Sequence, residues 1–265
     1  MVNYDFKGKV VLVTAASKGI GFAIAQEFYR AGANVAICAR NESILDNAVR
    51  KIKENNGGKI IGYSTDLKFL SQCELMVDKA ESYFSSSIDI LINNSGGPPP
   101  KKIMDTDDND WSDAINGNLL SAIFLSKKVL GNMMKKKWGR IVFLTSVLAK
   151  EPSEGMALSN VTRSGVASFS KTLSREVANY GITVNTILTG GCKTDRFYSL
   201  VQDQIKQTGE ALDEAVERLS QAVPVGFISS PIEFAQAVLF IATVEASYIN
   251  GVSLPLDGGA TRSIF

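Results

Sequence analysis

Histidine is absent from all 265 residues. Its absence excludes His-based nucleophilic triads and imidazole-bound metal sites together, and no metal site is expected. Cysteine is scarce: Cys38, Cys73 and Cys192 are odd in number, far apart and in no metal-ligand spacing. That argues against a disulfide framework and for a reducing, cytoplasmic compartment. No apolar run approaches the ~18 residues that would span a bilayer. The opening stretch MVNYDFKGKVVLVTAA leads straight into a strand pattern, not a signal-peptide layout, so no membrane partner is expected. An excess of one charge is also lacking. With 28 Lys plus Arg against 27 Asp plus Glu, the net charge is +1, which suggests no nucleic-acid partner. A local basic run, Lys135 to Trp138, reads as a solvated helix end.

What remains is an alternation. Short β-branched runs at 9–14, 34–39, 59–65, 88–93, 140–146, 182–188 and 251–257 read as strands, and amphipathic segments fill most of the gaps. Apolar strands separated by helices imply βαβ units and a parallel sheet buried on both faces. Right-handed crossovers then favour a doubly wound α/β fold, here as a single domain over residues 1–265. Two stretches break the rhythm. SGGPPPKK (95–102) reads as a rigid turn after the fourth strand. Residues 193–230 form a long polar connection with helical stretches, either a lid over a substrate or a surface helix pair.

The segment VTAASKGIGFAIAQEF follows the first strand. Gly19 and Gly21 fall where the turn enters a helix. Glycine admits a pyrophosphate close to the backbone, and the helix N-terminus offers free N–H groups and a positive dipole end. Thr14, Ser17, Lys18 and Ile20 complete the candidate phosphate turn. The run T-x-x-x-K-G-I-G resembles the T-G-x-x-x-G-x-G fingerprint of the short-chain dehydrogenase/reductase family. Ala15 stands where that family has its first glycine. A negative φ at Ala15, with the turn intact, is the expectation here. After the second strand, Ala39 occupies the place where an acidic residue would bond an NAD ribose. Arg40 is next to it, and Lys18 adds a second cation. An arginine fork suits the extra phosphate of NADP, so NADP is favoured over NAD.

The resemblance extends over essentially the whole chain and implies a Rossmann-type three-layer fold with a central, mostly parallel seven-stranded sheet. It places Asp66 and Leu67 near the adenine. Asn93 and Gly96, in NNSGG, match the family's N-N-A-G at the floor of the cofactor site. TGGCKTD resembles its P-G-x-x-x-T, with Gly190 approaching the nicotinamide and Thr194 bonding the carboxamide. PLDGG matches its C-terminal D-G-G. A homo-oligomer is also implied, a tetramer in which helices over 111–134 and 156–180 pair across a two-fold axis.

The family's catalytic set is Asn, Ser, Tyr and Lys. Asn118 and Ser146 match the first two. Thirteen residues after Ser146, where the family has Tyr, stands Ser159; four further on, where it has Lys, stands Arg163. The i, i+4 spacing keeps Ser159 and Arg163 on one helix face. A serine hydroxyl can donate to a developing oxyanion but does not readily give up its proton, and an arginine does not relay one. Arg163 could still fork onto the nicotinamide ribose. Lys150, Glu154 and Tyr198 are other candidate acids near the site. Two readings follow. In the first, the chain is an NADP-dependent oxidoreductase similar to the 3-oxoacyl-acyl-carrier-protein reductases, acting on a small carbonyl or alcohol substrate, with an acyl thioester among the candidates. There Ser146 and Asn118 polarise the carbonyl, and water, Lys150 or Tyr198 supplies the proton. In the second, the same scaffold binds a nucleotide or a partner without catalysis.

Overall fold

The computed structural model describes residues 4–264, with nothing said of the Gln207 side chain. Seven strands form one sheet in the order β3-β2-β1-β4-β5-β6-β7, every neighbouring pair parallel. The strands are β1 (Val10–Val13), β2 (Asn34–Ala39), β3 (Ile60–Ser64), β4 (Ile90–Asn93), β5 (Gly139–Leu144), β6 (Ile182–Thr189) and β7 (Ser253–Leu256). All seven lie within the runs expected from the sequence, give or take a residue at the ends.

The strands are apolar throughout because the sheet is covered twice. In β1, Val11 and Val13 join one core with Phe28, Leu45 and Phe234, while Val10 and Leu12 join the other with Met76, Val129 and Phe143. Successive side chains point to opposite faces, so a continuous apolar strand is the signature of two buried faces. The first core is built by α1 (Gly19–Arg30), α2 (Glu42–Lys53) and α9 (Pro231–Ala242). The second is built by α3 (Leu70–Phe84), α5 (Ser121–Lys136) and α6 (Ala157–Val177).

Between β1 and β4 the strand order reverses direction, and the loops leaving the two strands part. A doubly wound sheet binds ligands in the crevice outside such a switch point. The short helix α4 (Asp108–Ala114) runs through a π-helical turn, Ile115–Leu120, into α5. The long connection after β6 folds into α7 (Asp195–Thr208) and α8 (Leu212–Gln221), a helix pair in place of an irregular loop. No helix among the described residues is long and apolar enough to cross a membrane.

Candidate active site

The switch point is tied by side chains. Thr14 Oγ1 donates to the Asn94 carbonyl (2.6 Å) and accepts from the Asn94 N–H (2.9 Å). The Asn94 amide donates to the carbonyls of Thr14 (3.2 Å) and Ala15 (3.0 Å). These bonds continue the β1–β4 pairing past the sheet and shape the phosphate turn. Thr14, 1% exposed, is therefore a tie between strands and lines neither of the two clefts described below. Asn93 is also turned inward: its amide donates to Ser126 Oγ (3.3 Å), and its Oδ1 has no partner among the described residues. Asn94, which sequence reading passed over, is the asparagine on the cleft wall.

Ala15 corrects the expectation stated for it. Its φ is +47°, in the left-handed region, although the turn is intact. The neighbouring bonds account for this: the Ala16 N–H donates to the Cys38 carbonyl (2.9 Å) while the Ala15 carbonyl is held by Asn94. With both sides anchored, the backbone keeps the conformation a glycine would favour and an alanine strains. Gly21 shows the same crowding. A Cβ there would lie 2.7 Å from the Ala15 carbonyl oxygen and 2.6 Å from the Asn94 amide.

Two adjoining clefts of about 680 and 430 Å³ lie along the switch point. The larger is lined by Ser17, Lys18, Arg40, Asp66, Leu67 and Gly96 among others. Helix α1 starts on its border with no side-chain cap and no acid in its first turn, so its free N–H groups and dipole face an anion site unopposed. At the end of β2 the Asn41 carboxamide caps α2 by accepting from the Ile44 N–H (2.9 Å). The adjacent Arg40 guanidinium is exposed and has no side-chain partner among the described residues. Lys18 pairs with Asp195 at the start of α7 (3.1 Å), and Arg196 donates to the Pro98 carbonyl (3.0 Å). These two contacts bridge the crevice from α7 to the phosphate turn and to the loop after β4.

The smaller cleft carries three of the four residues matched to the catalytic set, Ser146, Ser159 and Arg163. Ser146 follows β5. Its Oγ accepts from the Leu148 N–H (3.2 Å), which leaves its proton free to point into the cleft. Ser159 is 5% exposed on the wall, and its hydroxyl has no partner among the described residues. Arg163, one turn along α6, is 6% exposed. Its Nη1 donates to the Leu144 carbonyl (3.1 Å) and Ser95 Oγ (3.2 Å), and its Nη2 to the Ser95 carbonyl (3.2 Å). Its buried Nε has no partner among the described residues. Burial, followed by the nearby Arg196, pulls the Arg163 pKa down to about 10, so it remains a cation at neutral pH.

Ser95 is the residue the motif comparison missed. It stands at the alanine of N-N-A-G, and its Oγ accepts from Arg163 while donating to Asn118 Oδ1 (2.8 Å). Asn118 in turn donates to the Ala114 carbonyl (3.2 Å), a carbonyl displaced by the π-helical turn. Both ends of Asn118 are thus occupied, and it does not line the cleft that holds Ser146 and Ser159. It supports Ser95, which receives Arg163, and it lines the larger cleft. A serine for alanine beside an arginine for lysine was a signal available in the sequence: a longer, forked cation needs an extra acceptor.

Gly190 and Thr194 both line the smaller cleft. A Cβ on Gly190 would lie 2.7 Å from Asp257 Cα, so the D-G-G segment also requires a glycine there. Thr194 caps α7 by accepting from the Phe197 N–H (3.3 Å), and its methyl approaches Gly19, where a Cβ would lie 3.2 Å from it. Lys150, Glu154 and Tyr198 do not line the cleft.

The geometry coincides with what comparison with known proteins shows. The short chain dehydrogenase family matches residues 9–205. The chain belongs to the short-chain dehydrogenase/reductase family. The 3-oxoacyl-[acyl-carrier-protein] reductase FabG of Salmonella typhimurium is 37% identical over 255 residues, covering 96% of this chain and 98% of that protein. The L-sorbose reductase of Gluconobacter frateurii, solved with NADPH and L-sorbose, superposes with a TM-score of 0.94 at 28% identity, covering 99% and 100% of the two chains. An actinorhodin polyketide ketoreductase solved with NADPH gives 0.91 at 29%, covering 96% and 98%. As a family member this chain is an NAD(P)-dependent oxidoreductase. The departures at Ser95, Ser159 and Arg163 are its own chemical problem.

Proposed function

We propose that this protein binds NADP and transfers hydride between it and a small carbonyl or alcohol substrate. The observation that carries the nucleotide choice is Arg40: an exposed guanidinium without a side-chain partner among the described residues, beside Ser17 and Lys18, where Ala39 leaves no carboxylate to bond a ribose hydroxyl. A guanidinium fork matches a ribose phosphate. The pyrophosphate fits the uncapped start of α1 and the crowded glycine turn, where the backbone itself supplies the donors. Asp66 and Leu67 border the adenine end, and Gly96, whose missing Cβ faces open space, leaves room over the loop after β4. NADPH-bound reductases among the structural neighbours support the same cofactor.

When bound, the nicotinamide supplies or accepts the hydride. Arg163 holds the ribose side of the cleft, and Ser146 and Ser159 present hydroxyls to the substrate oxygen. Lys18 must leave Asp195 to meet a phosphate. That exchange loosens α7, so the α7–α8 segment acts as a lid. The proposal extends to a cytoplasmic homotetramer, as the resemblance implies. Fluorescence titration tests the nucleotide choice directly: NADPH binds at least tenfold more tightly than NADH, and equal affinities would overturn it.

A further inference from the structure

Hydride addition to an isolated ketone leaves its charge on an alkoxide, the base of an acid about as weak as water at about 15.7. Such a reaction needs a proton donor positioned in the site. The substrate half of the cleft offers hydroxyls from Ser146 and Ser159 and apolar surface from Leu148, Met156, Phe197 and Leu200. Among the described lining residues, the ionisable groups of this cleft are Lys18, Asp195, Arg196, Arg163 and Cys192. Lys18 and Asp195 pair with each other at the phosphate-turn end. The arginines do not donate protons usefully. Burial pushes the Cys192 thiol up to about 12, leaving a neutral, reluctant acid.

What the site does hold is fixed positive charge. Arg163 is buried against Leu144 and Ser95 with carbonyl and hydroxyl partners and no carboxylate. Arg196 also makes no ion pair among the described residues. A buried cation without a counter-ion is costly, and an anion that forms beside it offsets part of that cost. The Ser146 hydroxyl, its oxygen held by the Leu148 N–H, and the unpartnered Ser159 hydroxyl can both donate to such a charge. The arrangement can stabilise an oxyanion and is poorly equipped to protonate one.

We propose that the substrate is a conjugated carbonyl compound, an enone or quinone, whose hydride adduct is a delocalised oxyanion held by Ser146, Ser159 and the field of Arg163, with solvent water as the proton source. This rests on the hydride-transfer reading above. The reduced nicotinamide is the two-electron donor. A C–H bond forms at the β-carbon of the substrate. The C=C π pair shifts to join the α-carbon to the carbonyl carbon, and the C=O π pair becomes a lone pair on oxygen. The substrate gains two electrons and the dihydronicotinamide loses two. Water then protonates the enolate at the α-carbon, releasing hydroxide to solvent; a quinone adduct tautomerises to the hydroquinone. The quinone adduct is an enolate that becomes, on tautomerising, the monoanion of a hydroquinone, a phenolate whose acid lies near about 10, so the delocalised charge needs no strong acid at the moment of transfer.

The test compares 2-cyclohexenone and menadione with cyclohexanone and a 3-oxobutanoyl thioester, in NADPH and corrected for nonenzymatic reaction. NADPH carrying deuterium at its transferable position reports the site of delivery by NMR of the product. Independently of turnover, the excitation spectrum of 2-naphthol bound to the NADP-loaded protein reports whether its ground state is naphtholate. The expected result is kcat/KM at least 100-fold higher for the conjugated substrates, little changed from pH 6 to 9, with deuterium at the β-carbon of cyclohexenone. Naphtholate binds at pH 7. The Ser159→Tyr/Arg163→Lys protein shifts the preference at least tenfold towards cyclohexanone. A Ser146→Ala/Ser159→Ala protein, with the arginine network untouched, loses naphtholate binding. Equal rates on saturated and conjugated carbonyls, or neutral naphthol in the site, would overturn the proposal while leaving hydride transfer standing. NADPH binding with no carbonyl reduced would overturn both the proposal and the hydride-transfer reading. Failure to bind NADPH at all would overturn the nucleotide assignment beneath them.

Discussion

The two halves of the crevice are made of different material. The nucleotide half is mostly backbone: a helix start without a cap, a strained turn, and glycines pressed against carbonyls. The substrate half is mostly side chains: two serines, a buried arginine, and a serine and an asparagine that support it. Backbone donors survive most substitutions, because any residue supplies an N–H. Side-chain chemistry does not. Exchanging Tyr and Lys for Ser and Arg therefore leaves the nucleotide cradle standing and changes how protons are handled next to it. The lesson is that retention of one half says little about the chemistry of the other.

The comparison breaks most severely at Gly21. Gly21→Ala places a Cβ against the Ala15 carbonyl and the Asn94 amide, and should weaken NADPH binding at least 100-fold by titration while the far-UV spectrum is kept. Arg40→Asp comes next: it replaces the free fork with the acid that bonds a ribose hydroxyl. The NADPH:NADH affinity ratio should fall at least tenfold, and an unchanged ratio would remove Arg40 from the nucleotide site. In the substrate half, a double-mutant cycle over Ser95→Ala and Arg163→Lys separates network from fold. With Arg163 in place, Ser95→Ala should cost about 1–2 kcal/mol in urea unfolding, because it strips an acceptor from a buried cation. In the Arg163→Lys background the same change should be close to neutral; additive effects would deny the coupling. The smallest effect is Ala15→Gly. Relief of a left-handed alanine should stabilise the protein by about 1 kcal/mol with nucleotide affinity unchanged.

The fold was legible because its signal is periodic. Strand runs such as VVLV and ILIN are apolar on both faces, and only a sheet covered twice accepts that pattern. The turn at Gly19–Gly21 and the register from Ser146 to Ser159 to Arg163 were readable for the same reason: fixed spacings on regular elements. Reading failed where a residue's role depends on what another segment brings to it. Thr14 and Asn93 stand at family positions and are buried, while Asn94, tied to Thr14 and Ala15 across the β1–β4 pairing, lines the smaller cleft. The φ of Ala15 is imposed by Cys38 and Asn94, 23 and 79 residues away.

The sequence by itself determined the layering, the strand identities, the phosphate turn and the loss of the tyrosine and lysine, all properties of local pattern and spacing. The tertiary structure alone decided that Ser95 receives Arg163 and holds Asn118, that Asn118 lines the larger cleft and not the one with Ser146 and Ser159, and that Lys150, Glu154 and Tyr198 do not line the latter. Those facts depend on the partners that β4, the π-helical turn and α6 bring together, across 68 residues between Ser95 and Arg163. No local propensity encodes such a meeting, because a hydrogen bond is set by where both ends finish and not by either end alone.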